Sequence, residues 1–268
     1  MIKIDKKMGL SEIEIKRYLL SLSSNVDVRV VDECSSTNDV ASSMLNSVDL
    51  PFALLACRQI SGRGRMSRAW YASEGASICL SVAVDMRGAC ADVLASSTVR
   101  VGIEVCNALN EIAKEKMFLK WPNDIYSSSG KKIAGMLAEL KQIGGSYKMI
   151  FGIGVNYDLS MSDIPLPDDI VNIVDSVRPK LIVDKSINEL TAIIIKATVK
   201  ALSSYDLPLP NKFKQIDWLE NKTVDISIGN RNYSGIACGI NELGNLLVRL
   251  SDGSFEIVNS GEATLHKS

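Results

Sequence analysis

The sequence predicts a chain in two parts: a larger α/β domain over residues 1–220 and a small all-β unit over residues 221–268. Three observations predict it. Buried-type apolar runs such as PFALLAC and SICLSVAVD alternate with stretches of helical period through the first part. After DLPLPNK the texture changes, and from about Asn221 short β-like runs are separated by Gly-Asn, Leu-Gly-Asn and Asp-Gly turns, spaced about 8–12 residues apart. The 268 residues, 46% of them hydrophobic, are enough for a sizeable core.

Taken in order, Ser11-x-x-Glu14 is a capping box that opens a short helix through about Ser21. VDVRVVD (Val26 to Asp32) alternates like a strand, and Ser36 and Thr37 stand at a strand-to-helix junction with Val40, Met44 and Leu45 on one helical face. PFALLAC and SICLSVAVD read as strands, whereas Val101, Val105, Leu109 and Ile112 mark an amphipathic helix. Strand-like runs follow at MFLKW, KKIAGMLAEL and KMIFGIGVN. Residues 158–185, with Pro165, Pro167 and Pro179, read as loop. Ser186-x-x-Glu189 then caps a long helix whose buried face carries Leu190, Ile193, Ile194 and Ala197.

Composition removes several functional classes. With 30 Lys+Arg against 31 Asp+Glu, bulk polyanion binding lacks its usual basic excess, although one local anion site remains open. The amino end shows no apolar stretch of signal-peptide type, and no run approaches the ~18 apolar residues of a membrane span. Six scattered cysteines without CxxC pairs suit a reducing cytoplasm. His266 is the single histidine, which excludes a His-built zinc site and a Ser-His-Asp triad, and no resident metal centre is assigned.

The chemistry-bearing segments are local. QISGRGRMSRAWYASEG gathers Arg63, Arg65 and Arg68 around Gly62 and Gly64. Glycine permits positive φ and lets backbone N–H groups converge on an anion, and arginine adds a permanent charged fork. A flexible surface turn explains such a loop equally well. KWPND (Lys120 to Asp124) brings an ammonium, an indole, an amide and a carboxylate to a strand end, an arrangement suited to a Mg²⁺-nucleotide; the alternative is a plain strand end with a Pro-Asn-Asp turn. In GKKIAGMLAEL a lysine leads a buried strand and Gly135 follows three residues after Lys132, opening the backbone to a ligand; the alternative is that Lys131 or Lys132 is a solvated turn residue. Gly152 and Gly154 in FGIGVNYD strip one strand face of side chains, either as a pocket wall or as a pair of bulges.

SSTN (Ser35 to Asn38), QxxGRGR from Gln59, KWPND, GKKIAG and GIGVN, in this order and spacing, resemble the biotin–protein ligase family over nearly the whole chain after about residue 26. The closing GNLLVRLSDGSFEIVNSGEATL is similar to that family's SH3-like terminal domain. The resemblance implies a catalytic domain like that of class II aminoacyl-tRNA synthetases, a mixed sheet flanked by helices. It implies formation of biotinyl-5′-AMP from biotin and ATP, with Mg²⁺ accompanying the nucleotide, then transfer to a lysine of an acceptor domain in a carboxylase or decarboxylase. By that resemblance Ser36, Thr37, Asn38 and Gln59 meet biotin, with Ser36, Thr37 and Gln59 on its ureido head. Gly62 and Arg63 lie beside biotin or its acyl-phosphate, and Gly135 and Gly152 wall its pocket. Arg65 and Arg68 take phosphate charge, Lys132 faces the reacting carboxylate and α-phosphate, and Trp70 and Asn156 meet adenine. Lys120 and Asn123 belong to the nucleotide side. Asp124 has three open roles: holding Mg²⁺, orienting a phosphate-binding lysine, or assisting deprotonation of the acceptor lysine.

Two features depart from the family pattern. WYASEG stands where many members have Ser-Pro after the loop tryptophan, and too little chain precedes Val26 for the DNA-binding domain of regulatory members. A ligase without repressor function, bound to neither DNA nor membrane, is therefore expected; monomer and homodimer are both open. A lipoate–protein ligase is disfavoured by the missing Arg-Arg-x-Ser-Gly-Gly-Gly and His-Asp motifs, a nucleic-acid-binding module by the neutral charge, and an inactive adaptor by the intact basic residues. The arginine loop is expected to be partly disordered when empty and to close over the adenylate.

Overall fold

The computed structural model describes residues 9–163, 165–203 and 209–266. The first eight residues of the amino end, and Asp206, Leu207 and Pro208 of the DLPLPNK stretch, lie outside the described residues. Helix α1 (Glu12–Ser21) begins at Ser11, whose hydroxyl accepts the Glu14 N–H as the capping box requires. Strand β1 (Asp27–Cys34), helix α2 (Thr37–Met44), β2 (Phe52–Gln59), β3 (Ser77–Asp85) and helix α3 (Ala91–Asn110) follow. Strands β4 (Phe118–Lys120) and β5 (Asp124–Tyr126) form a short hairpin around KWPND, and β6 (Lys132–Ile143) and β7 (Ser146–Asn156) a long one. After the one-turn helix α4 (Asp168–Val171) come α5 (Ile187–Ser203) and α6 (Leu209–Lys214).

These strands make one seven-stranded sheet in the order β1-β2-β3-β7-β6-β5-β4, with β1 and β2 parallel and the other neighbours antiparallel. Strand alternation divides its side chains between two faces. Ala53 and Leu55 of β2 join the main core under α1, α3 and α5, whereas Phe52 and Leu54 turn to a smaller core under α2. The α2 face differs from the expected one. Thr37, Asn38, Ala41 and Leu45 are buried, while Val40 and Met44 are only partly so, because small Ala41 seats the helix on the sheet and its first turn points polar groups into a cleft. Ile112 lies beyond the end of α3 and Ile193 of α5 is half-buried.

A second sheet, antiparallel, contains β8 (Thr223–Ile228), β9 (Arg231–Ile240), β10 (Leu246–Arg249), β11 (Phe255–Val258) and β12 (Glu262–Leu265), in the order β11-β10-β9-β8-β12. Its Gly244 carbonyl accepts the buried Trp121 indole N–H at 2.9 Å, tying the second sheet to the KWPND hairpin. No helix among the described residues is long and apolar enough to cross a membrane.

The chain between the sheets runs along the edge strand β4: Leu119 N–H donates to Ile216 and Trp218 N–H to Leu119. Asp217 is buried there, with one oxygen accepting the Leu219 N–H and the other lacking a partner among the described residues. Burial is the leading cause that pushes this carboxyl up to about 6. A carboxyl held above its unfolded value costs stability once it must ionise, so the cost is absent below about pH 4 and full above about pH 6. Asp217→Asn is expected to stabilise the fold by on the order of 1–3 kcal/mol at pH 7.5, with the gain vanishing toward pH 4. Thermal unfolding across that range checks it; a pH-independent difference defeats the assignment.

Candidate active site

One cleft of about 470 Å³ opens on the α2 face of the main sheet, and its far rim is Glu262, Ala263 and Thr264 of β12. The floor is a shelf of backbone. Gly135 of β6 pairs with Gly154 of β7, and Gly152 pairs with Ser81 of β3. The register around Gly152 and Gly154 is regular, so these glycines are not bulges. Other side chains occupy the space they leave. A Cβ on Gly154 would fall 2.3 Å from the Trp70 indole, and one on Gly152 2.5 Å from the Asn38 carboxamide. One on Gly135 would lie 3.0 Å from Lys132 Nζ and 3.2 Å from Asp124 Oδ1. Gly135 and Gly152, expected as walls that admit the ligand directly, thus first make room for the residues that would meet it.

At one end, Gln59 Oε1 accepts the Thr37 N–H at 2.9 Å and lies 3.2 Å from the Thr37 hydroxyl. Ser81 Oγ, fully buried, sits 2.8 Å from Thr37 Oγ1 and 2.6 Å from Asn38 Oδ1, and Asn38 Nδ2 donates to Glu139 at 2.9 Å. Ser36 is buried at the N-cap of α2, and its hydroxyl is not used to cap the helix.

At the other end, Lys132 Nζ lies 2.8 Å from Asp124 Oδ1, close in distance but off the direction of a good hydrogen bond. Lys132 also stands over the Trp70 ring, 5.6 Å from its centroid, and Trp70 Nε1 is buried with no partner among the described residues. Burial lowers the Lys120 pKa, partly opposed by the Asp124 charge, and pushes the Tyr126 phenol up to about 12. Asn123 serves the fold as well as the cleft: its amide donates to the Met136 carbonyl and its oxygen accepts from Arg65. Asn156 donates to the Lys132 carbonyl, holding the backbone from which that lysine projects.

The arginine loop folds back on itself, with Trp70 N–H donating to Gly62 O and Gly64 N–H to Arg68 O. Its left-handed residues are Met66 (φ 53°) and Ser67 (φ 58°), not the glycines that were expected to supply positive φ. Gly62 is needed for close approach instead, since a Cβ would lie 2.5 Å from the Trp70 carbonyl and from Gln59 Nε2. The arginines are already engaged. Arg63 makes a two-pronged pair with Asp39, Arg65 bonds Asn123 and the Gly261 carbonyl, and Arg68 grips both oxygens of Glu262.

The profile of the biotin/lipoate A/B protein ligase family matches residues 30–156, and that of the biotin protein ligase C terminal domain matches residues 221–265. The second description names biotin protein ligases alone. The chain belongs to the biotin protein ligase family. It is 28% identical to the bifunctional ligase/repressor BirA of Escherichia coli, over 94% of this chain and 78% of that protein. It is 31% identical to the biotin–[acetyl-CoA-carboxylase] ligase of Mycobacterium tuberculosis, over 55% of this chain and 56% of that one. The biotin protein ligase of Aquifex aeolicus, solved in complex with biotin and ATP, superposes with a TM-score of 0.74 at 25% identity, over 90% of this chain and 99% of that chain.

In this biotin protein ligase the two matched spans leave residues 157–220 between them, and part of that interval builds the cleft. Leu166, Ile170, Ile173 and Val174 line it, because Lys132 N–H donates to Ile173 O and Asp175 N–H to Lys132 O, clamping the segment against β6. These four residues fall within 158–185, which reads as loop in the sequence because isolated apolar residues among prolines carry no period. Sequence reasoning also passed over Ser81, although a serine facing inward in SICLSVAVD breaks an otherwise apolar strand.

Proposed function

We propose that residues 1–220 activate biotin with ATP and pass it to a lysine of a biotin-acceptor domain, while residues 221–268 complete the nucleotide side of the cleft. The observation that carries this reading is that the Lys132–Asp124 pair shares a single cleft with the polar Thr37–Gln59 end and the arginine loop. Thr37, Gln59 and Ser36 offer the donors and acceptors that a ureido head needs. Lys132, fixed by Asp124 and by the Asn156-held backbone, then faces the biotin carboxylate as it attacks the α-phosphate, and its charge balances the oxygens crowding phosphorus. The bond to the β-phosphate bridging oxygen breaks and pyrophosphate leaves. In the second step the acceptor amine attacks the acyl carbon, loses a proton and releases AMP.

The short approach to Lys132 supports the orienting role for Asp124 over the other two. Mg²⁺ would enter this cleft on the phosphates of ATP, as is usual for an ion that keeps several waters and takes few protein ligands. Arg65 and Arg68 exchange the Gly261 carbonyl and Glu262 for phosphate oxygens as the loop closes on the nucleotide, and Trp70 and Asn156 flank the adenine. Six free cysteines support a reducing, cytoplasmic setting.

Purified protein supplied with ATP, Mg²⁺, biotin and a carboxyl-carrier acceptor domain should give a streptavidin-positive acceptor, and lipoate in place of biotin should give no product. Absence of both adenylate and transfer would sink the enzyme reading.

A further inference from the structure

The cleft contains a hydrogen-bond relay whose direction is set from outside the ligand space. Glu139 of β6 accepts the Asn38 Nδ2 hydrogen at 2.9 Å, which fixes the carboxamide so that its oxygen faces Ser81. Gly152 leaves the room that this orientation needs. An amide oxygen only accepts, so Ser81 commits its single hydrogen to Asn38 Oδ1, 2.6 Å away. The 2.8 Å contact between Ser81 and Thr37 must then be made by the Thr37 hydroxyl donating to Ser81. Gln59 Oε1, 3.2 Å from that hydroxyl, keeps the Thr37 backbone N–H as its donor and has a second lone pair open.

We infer that Ser81 and Glu139 are positioning residues: through Asn38 and Thr37 they orient the polar end of the cleft so that Gln59 Oε1 and Thr37 Oγ1 both present acceptors. The ligand this selects is one with N–H donors on a compact polar head, as in a cyclic urea. The inference rests on the ligase reading and adds to it the device that fixes the polarity of the biotin end. Neither residue touches the ligand; each acts through its neighbour. A rotated carboxamide would turn the Ser81 hydrogen back toward Thr37, and the Thr37 hydrogen onto Gln59, closing the acceptor a ligand N–H requires.

The test is biotin binding by calorimetry without ATP, for wild type, Ser81→Ala, Ser81→Cys and Glu139→Ala. Ser81→Ala should weaken biotin roughly tenfold, as expected when buried polar partners lose their match. Ser81→Cys keeps the volume with a weak donor and should fall between, while the melting temperature reports folding. KM for biotin should rise in steady state, with KM for ATP and single-turnover transfer from saturating biotinyl-5′-AMP unchanged. A merely structural defect would move all three together, and that result overturns the relay. Unaltered biotin binding by Ser81→Ala and Glu139→Ala overturns it also, leaving the ligase reading intact. Wild-type protein that does not bind biotin overturns both.

Discussion

Lys132→Ala is expected to cut biotinyl-5′-AMP formation by about 10²–10³-fold, read by pyrophosphate exchange or by direct separation of the adenylate. The lysine lines the cleft, 2.8 Å from Asp124 and standing over Trp70. Its removal takes away the charge that the proposed mechanism needs at the phosphorus and leaves a half-buried carboxylate without its counter-ion, so loss of stability is expected beside loss of activity. The two effects separate in Lys132→Ala/Asp124→Asn, where stability should return and adenylate formation should not. Cys106→Ser is the control: its thiol is fully buried among core residues and contacts Met117 O, away from the cleft, so transfer chemistry should survive it. Wild-type rates from the Lys132 variant would refute its assignment.

Gly154→Ala should produce the second large effect through a residue that bears no chemistry. Its new methyl would stand 2.3, 2.5 and 2.7 Å from three atoms of the Trp70 indole, an overlap that neither β7 nor a ring can absorb in place. Overpacking of this kind costs about 1–3 kcal/mol if the ring is retained. The ring has an escape, since Trp70 belongs to the loop and not to the sheet. The expected result is therefore a displaced indole, ATP and adenylate affinity lowered roughly tenfold or more, and little change in melting temperature. Trp70→Ala should weaken nucleotide binding similarly, and the double variant should add little to either single one. Additive losses would mean that Gly154 acts on the site by another route.

Much of this was legible in sequence because both signals are short-ranged. Strand and helix periods depend on neighbours, and PFALLAC, SICLSVAVD and KMIFGIGVN fell where their patterns put them, as did both Ser-x-x-Glu caps. The chemical residues sat in compact motifs, and the fold brings Thr37, Gln59, Lys132, Asp124 and the arginine loop to one cleft. The hidden part is what those residues do to one another. Nothing local in GRGRMSR announces that Arg65 will bond Gly261 or that Arg68 will grip Glu262, near the other end of the chain. Nor does a glycine say whether its missing side chain makes way for a ligand or for a neighbour. At Gly135, Gly152 and Gly154 the neighbour came first, because strand pairing aligned them under Asn38, Trp70 and the Lys132–Asp124 pair.

That Gly261 and Glu262 hold two arginines of the cleft bears on how the protein can be handled. A segment fused after the second sheet starts close in sequence to Glu262, which lines the rim of the cleft. A bulky carboxyl-terminal reporter would crowd that rim and compete for Arg68. The amino end leads instead into α1, which packs on α5 under the opposite face of the sheet. Tags, surface tethers and fluorescent partners are therefore expected to disturb the arginine contacts less when joined ahead of α1 than after β12.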